Sequence, residues 1–138
     1  MRDRILKPHF ASALLLATVV LAGGCSNQRP TGTLSGSVTY NGKPLNIGTV
    51  NFLSKSGSAA QAALDENGNF KVDTPIDATE YQVYLAAPVP GQFAPGTKPP
   101  PPTARFNVAP KHLDPQTSKV TVTTKSGANE GMVLEFKD

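Results

Sequence analysis

From residue 34 onward, apolar and polar positions alternate with a period of two, the period of a strand rather than a helix. In LSGSVTY, Leu34, Val38 and Tyr40 share one face with Gly36 between them, and Ser35, Ser37 and Thr39 share the other. The following NGKP, residues 41–44, reads as a turn: Asn-Gly favours positive φ and proline stops a ladder. In GTVNFL, Val50 and Phe52 point one way and Thr49 and Asn51 the other. A Ser/Gly/Lys loop spans 54–58, residues 61–64 form a weak strand, and DENGNF (65–70) is a turn leading into 70–73. Tyr81, Val83 and Leu85 alternate with Gln82 and Tyr84; Val120 and Val122 alternate with threonines; Met132, Leu134 and Phe136 alternate with Val133 and Glu135. The expectation is all-β: seven short strands in an antiparallel β-sandwich, occupying 34–138.

Two segments break the rhythm. Residues 88–103 hold more than half of the chain's 13 prolines. Proline cannot donate to a ladder, so a long loop with polyproline II character is expected there, followed by one helical turn near 111–113. Segment 26–33 (SNQRPTGT) is polar and aperiodic and reads as a tether reaching at most about 25–30 Å.

The first 24 residues follow a different plan. Arg2, Arg4 and Lys7 precede an apolar run of 12 residues, 11–22, and then Gly23-Gly24. Positive start, short apolar run and small residues are the three parts of a secretory signal peptide, and the run is too short to span a bilayer. Directly after it stands Cys25, the only cysteine of the chain.

LAGGC resembles the lipobox of bacterial prolipoproteins. The resemblance implies cleavage before Cys25, a diacylglyceryl group on its sulfur and acylation (palmitate or similar) of the new amine. Two or more acyl chains on one residue give stable membrane anchoring where one does not. That family prefers leucine three residues before the cysteine; here Ala22 stands there and Leu21 one step earlier. By the family's sorting rule, Ser26 favours the outer membrane, with the domain facing the periplasm or exterior. The expected organisation is a signal peptide at 1–24, a tether at 25–33 and one domain at 34–138.

Removing the leader changes the electrostatics. The chain has 13 Lys+Arg and 10 Asp+Glu; the leader takes Arg2, Arg4, Lys7 and Asp3, leaving 10 against 9, a net charge of +1. No basic stripe with interleaved aromatics remains, so nucleic acid is not an expected partner.

LSGSVTYNGKPLNIGTVNF, ALDENGNFKVD and YQVYLAA together resemble the carboxypeptidase regulatory-like domain, a transthyretin-like β-sandwich. The closing VAPKHLDPQTSKVTVTTKSGANEGMVLEF is similar to the end of small bacterial lipoproteins built from a leader and one such domain. The resemblance covers roughly residues 33–138. It implies a seven-stranded Greek-key sandwich without catalytic residues of its own, used as a folding aid, spacer or binding module.

The residues agree with a non-catalytic reading. The mature part holds one histidine, His112, whereas a zinc hydrolase needs about three protein ligands. No H-E-x-x-H or G-x-S-x-G occurs. DENGN lacks the order of a calcium loop and reads as a hairpin turn. His112 and Asp114 in KHLDP read as packing and turn formation before Pro115. No lysine suits an isopeptide crosslink. No metal or cofactor is expected. The proline-rich loop is the most distinctive feature: as a docking strip it would anchor an envelope protein partner through Phe93, Pro99, Pro100, Pro101, Pro102 and Arg105; otherwise it is a stiff connection. The expected function is a membrane-anchored, structural or protein-binding envelope module. The alternative is an accessory domain presenting carbohydrate or peptide to an envelope enzyme or transporter.

Overall fold

The alternating segments pair into two sheets in the computed structural model, which describes residues 28–91, 93–99 and 105–138. Eight strands run in the order β1 (Thr31–Tyr40), β2 (Lys43–Pro44), β3 (Thr49–Ser54), β4 (Ala59–Ala63), β5 (Asn69–Asp77), β6 (Glu80–Ala86), β7 (Val120–Thr123) and β8 (Gly127–Phe136). One sheet centres on β1, flanked by β5 and β2 on one side and β8 on the other. The second has the order β4-β3-β6-β7.

The inward face of each strand is the one the alternation marks. Leu34, Val38, Val50, Phe52, Phe70, Val72, Val83, Leu85, Leu134 and Phe136 are buried between the sheets. Phe52 packs at 5.6 Å from Phe70 and edge-on to Tyr81 at 6.4 Å between ring centroids. Burying each of these large side chains contributes about 1.5–3 kcal/mol. Tyr81 is fully buried, and its hydroxyl is satisfied by Asp77 O and Ser58 Oγ. The helical turn expected near 111–113 is a 3-10 turn, Pro110–His112.

Three expectations are corrected. Among the described residues there are eight strands, not seven, because Lys43–Pro44 joins the ladder as β2. Asn41 (φ 50) and Gly42 (φ 79) form the left-handed pair of a tight hairpin turn,. Leu45 N–H then donates to Val38 O at 3.0 Å, which puts the Thr39–Pro44 pair at a non-hydrogen-bonded site where a missing N–H costs nothing. The sandwich is not wholly antiparallel either, since β8 runs parallel to β1 from Gly32↔Gly127 to Tyr40↔Phe136. That pairing brings two backbones very close: a Cβ on Gly36 would collide with the main chain of Met132. Finally, residues 31–33, assigned to the tether, already lie in β1, paired with β5 and β8.

Candidate functional site

The second sheet ends at β4, and the alternation of the β3–β4 ladder decides which of its groups are free. Ser54 N–H donates to Ser58 O (2.8 Å) and Leu64 N–H to Gly48 O (3.0 Å). With the register Phe52↔Ala60 and Val50↔Ala62, every second residue, Ala60, Ala62 and Leu64, turns its main-chain groups toward β3. Ala59, Gln61 and Ala63 turn theirs outward. Among the described residues these three backbone positions have no hydrogen-bond partner. By the same rule the Val38 N–H to Gly68 O bond (2.8 Å) leaves Lys71 on the outer edge of β5, and Asp73 follows it where the register with β1 shifts.

These two edges, though exposed, are not isolated from each other. They flank a half-open cleft of about 500 Å³ whose remaining wall comes from the proline-rich loop, at Phe93, Ala94, Pro95 and Thr97. This volume lies within the usual range for ligand pockets, about 300–1,000 Å³. Gln61, Ala63, Lys71 and Asp73 line it, as does Thr49. Thr49 is 3% exposed, and its Oγ1 is buried without a partner among the described residues. Such a hydroxyl costs about 1–3 kcal/mol unless something bonds to it. Neither Lys71 nor Asp73 forms an ion pair among the described residues.

The turn at 65–69 borders the cleft through Asp65 and Asn69. Asp65 Oδ1 accepts from Asn67 N–H and Asn69 N–H, both at 2.8 Å, and Asp65 Oδ2 from Asn69 Nδ2 at 3.1 Å. Burial pushes this carboxyl up, but the hydrogen bonds from Asn69, Asn67 and Gly68 outweigh it and hold it below its ordinary value,. Gly68 (φ 78) packs against Val38 O where a side chain would not fit. The hairpin-turn reading of DENGN therefore holds, with Asp65 as its clasp.

His112 lies elsewhere. It is 3% exposed, set edge-on to Phe136 at 5.2 Å and to Tyr40 at 5.9 Å, with Nε2 3.1 Å from Lys137 O. Asp114 does not join it: Asp114 Oδ1 accepts from Gln116 N–H (2.7 Å) and closes its own turn. The ring instead lies beside a knot in which Tyr40 OH donates to Asp138 (2.7 Å), accepts from Ala109 N–H (3.1 Å), and Asn41 Nδ2 donates to Asp138 (2.9 Å). The bond to Asp138 chiefly holds the Tyr40 phenol above its ordinary value, and the bonds from Asn41 and Tyr40 hold Asp138 below its own. Among the described residues no three His, Cys, Asp or Glu side chains gather into a cluster.

Of the residues singled out from sequence, Phe93 lines the cleft, 38% exposed. Pro99 and Arg105 are exposed and do not line it. Cys25, Pro100, Pro101 and Pro102 lie outside the described residues. Sequence reasoning missed Thr49, Gln61, Lys71 and Asp73. The one signal for them was the weakness of 61–64 as a strand: AAQAA carries neither the β-branched residues of a central strand nor the charges of a guarded edge,.

The fold and site define an all-β, two-sheet body with a cleft at one sheet edge. No protein-family model and no curated protein matches the chain. Among solved structures it is similar to the crystal structure of a DUF3823 family protein from Parabacteroides merdae, at 19% identity and a TM-score of 0.43. The match covers 79% of this chain and 47% of that one, so the chain spans less than half the length of that protein.

Proposed function

We propose that the chain is a non-catalytic binding module of the bacterial cell envelope, lipid-anchored through Cys25 and built on a carboxypeptidase regulatory-like, transthyretin-like Greek-key sandwich. The observation that carries the binding role is the cleft, where unpaired edge groups of β4 lie under the proline-rich loop. It favours an accessory ligand-binding domain over a plain spacer. The leader order and LAGGC support the anchor.

The geometry adds a constraint. Because β1 starts at Thr31, only residues 26–30 separate Cys25 from the first strand, a reach of at most about 18 Å. The Thr31 end of β1, with Asp77 and Gly127 beside it, then faces the membrane. The turn at 65–69, next to Ser37 and Val38, lies toward the far end, which sets the cleft it borders away from the lipid surface. A non-catalytic role is supported by His112, the mature part's one histidine, which is buried away from the cleft.

Cys25→Ser tests the anchor. The variant is expected in the soluble envelope fraction with an unchanged circular dichroism spectrum, while the parent stays with membranes until detergent is added. Retention of the variant on membranes without detergent overturns the lipoprotein reading.

A further inference from the structure

We propose that the ligand of this cleft is an extended peptide segment that adds to the free edge of β4. The inference rests on the binding-module reading above and names the ligand of the same site.

Four observations converge on it. Ala59, Gln61 and Ala63 offer unpaired main-chain donors and acceptors at a two-residue repeat, about 6.6–7 Å apart, which another strand matches. The edge is also unguarded. β5 carries Lys71, Asp73 and Pro75, β7 is flanked by Lys119 and Lys125, and β8 carries Glu130 and Glu135. Such charges and prolines are how sheet edges are kept from pairing, and Ala-Ala-Gln-Ala-Ala has none. Its small side chains let a second backbone approach. The third observation is the cleft itself, about 500 Å³ beside Gln61 and Ala63, which gives an added strand room along the edge.

The fourth sets the chemistry of the segment. Phe93 and Pro95 give one wall an apolar character, and Lys71 and Asp73 place opposite charges two residues apart on the facing strand. A segment with an acid and a base two positions apart and a small apolar residue between them complements both walls, because residues i and i+2 share a strand face. The wall at residues 93–97 also argues for a thin segment over a second copy of this domain, whose β4 would have to lie flush against this one. A glycan would use the polar side chains but leave the row of main-chain groups unmatched.

The test uses the full-length protein in detergent micelles. The probe is fluorescein-labelled acetyl-Lys-Val-Glu-Val-Thr-Val-amide, read by fluorescence anisotropy. Its charge-exchanged form and two versions N-methylated on alternate amides serve as comparisons. The parent peptide is expected to bind, and at least one methylated version to lose about tenfold in affinity, the scale of one lost hydrogen bond. Gln61→Pro deletes an edge donor and is expected to weaken binding by a similar factor. The double variant Lys71→Glu/Asp73→Lys is expected to exchange the preference between the two charge forms. Peptide addition is expected to slow hydrogen exchange at the Gln61 and Ala63 amides at least about tenfold.

Absence of binding up to about 1 mM peptide, or binding indifferent to N-methylation and to Gln61→Pro, overturns the proposal. So does a concentration-dependent dimer abolished by Gln61→Pro, which would assign the edge to a second copy. Repeating the titration with Cys25→Ser separates the two readings: a variant that stays on membranes yet binds peptide fails the anchor alone, and a released variant that binds no peptide fails the peptide proposal alone.

Discussion

The sandwich passes between its sheets through short turns, and those at its two ends are closed by different chemistry. At the end where β1 begins, Thr124 laces two of them together. Its N–H donates to Thr79 O (3.0 Å), its hydroxyl accepts from Thr79 N–H (3.1 Å) and donates to Asp77 O (2.9 Å). Asn129 Nδ2 ties the Thr124 turn to β1, donating to Lys125 O, Gly127 O and Thr33 O. At the other end the β4–β5 turn is clasped by its own Asp65 and held to β1 by the Val38 N–H to Gly68 O bond, and the cleft lies beside it. The first pair of turns is cross-linked through uncharged groups; the β4–β5 turn is closed from within by a carboxylate. In the proposed orientation the cross-linked turns lie beside the anchor and the free edge away from it.

The largest effect is expected where β8 is pressed against β1. Gly36→Ala would force a methyl into the Met132 main chain, and overpacking against backbone costs about 3 kcal/mol. Urea denaturation should show it, with loss of near-ultraviolet signal if β8 detaches. A cost under about 1 kcal/mol would mean that the parallel pair is loose.

Next comes Thr124→Val, which keeps the shape but removes the hydroxyl and leaves Thr79 N–H without its side-chain acceptor in a buried setting. The expected loss is about 2 kcal/mol, the same at pH 4 and pH 7 because no charge is involved. Asp65→Ala should cost less, about 1 kcal/mol, as for loss of a capping carboxylate, and its effect should depend on pH. Since the folded state holds the Asp65 carboxyl below its ordinary value, its stabilisation is fully present above the unfolded value of about 3.9 and is lost as pH falls through the lower folded value. Parent and variant curves should therefore converge in acid, whereas those of parent and Thr124→Val stay parallel.

Much of this division was not legible in the sequence, for physical reasons that differ by residue. The strands were, because two-sheet burial imposes a period of two on Leu34, Val50, Phe52, Val83 and Leu134 whatever their partners. Asn41-Gly42 and Asp65–Gly68 were legible because turn chemistry is local. β2 was not, because Pro44 signals against a strand unless its N–H falls at a non-hydrogen-bonded site, and register decides that. The parallel pairing of β1 with β8 joins segments about a hundred residues apart, and neither strand's own pattern distinguishes it from an antiparallel one. Phe93 was found as an exposed aromatic in an odd loop. Thr49 and Gln61 were not found, since a threonine opposite Val50 looks like any outward strand residue until the loop is folded over it.

Thr49→Val should reverse the usual sign. It deletes a buried hydroxyl that has no partner among the described residues, so the free protein should gain about 1 kcal/mol, read as a rise in thermal midpoint. No gain would mean that the hydroxyl is already satisfied and that the cleft is less strained than the laced end suggests.

The smallest effect is expected from Gln61→Pro, and its smallness is what gives it force. At Ala62 the N–H belongs to the β3 ladder opposite Val50, so Ala62→Pro should cost about 3 kcal/mol or more. One residue away, Gln61 turns its N–H into the cleft, where proline removes a donor that nothing in the described fold uses. Edge strands accept proline at such positions, and the expected change is within about 0.5 kcal/mol. Urea denaturation of the two variants side by side measures the orientation of the edge directly. Equal losses would mean that β4 is paired on both sides, and the cleft would then hold no free strand edge to bind anything. A wide gap, with Gln61→Pro close to the parent, leaves a stable protein altered only at its open edge.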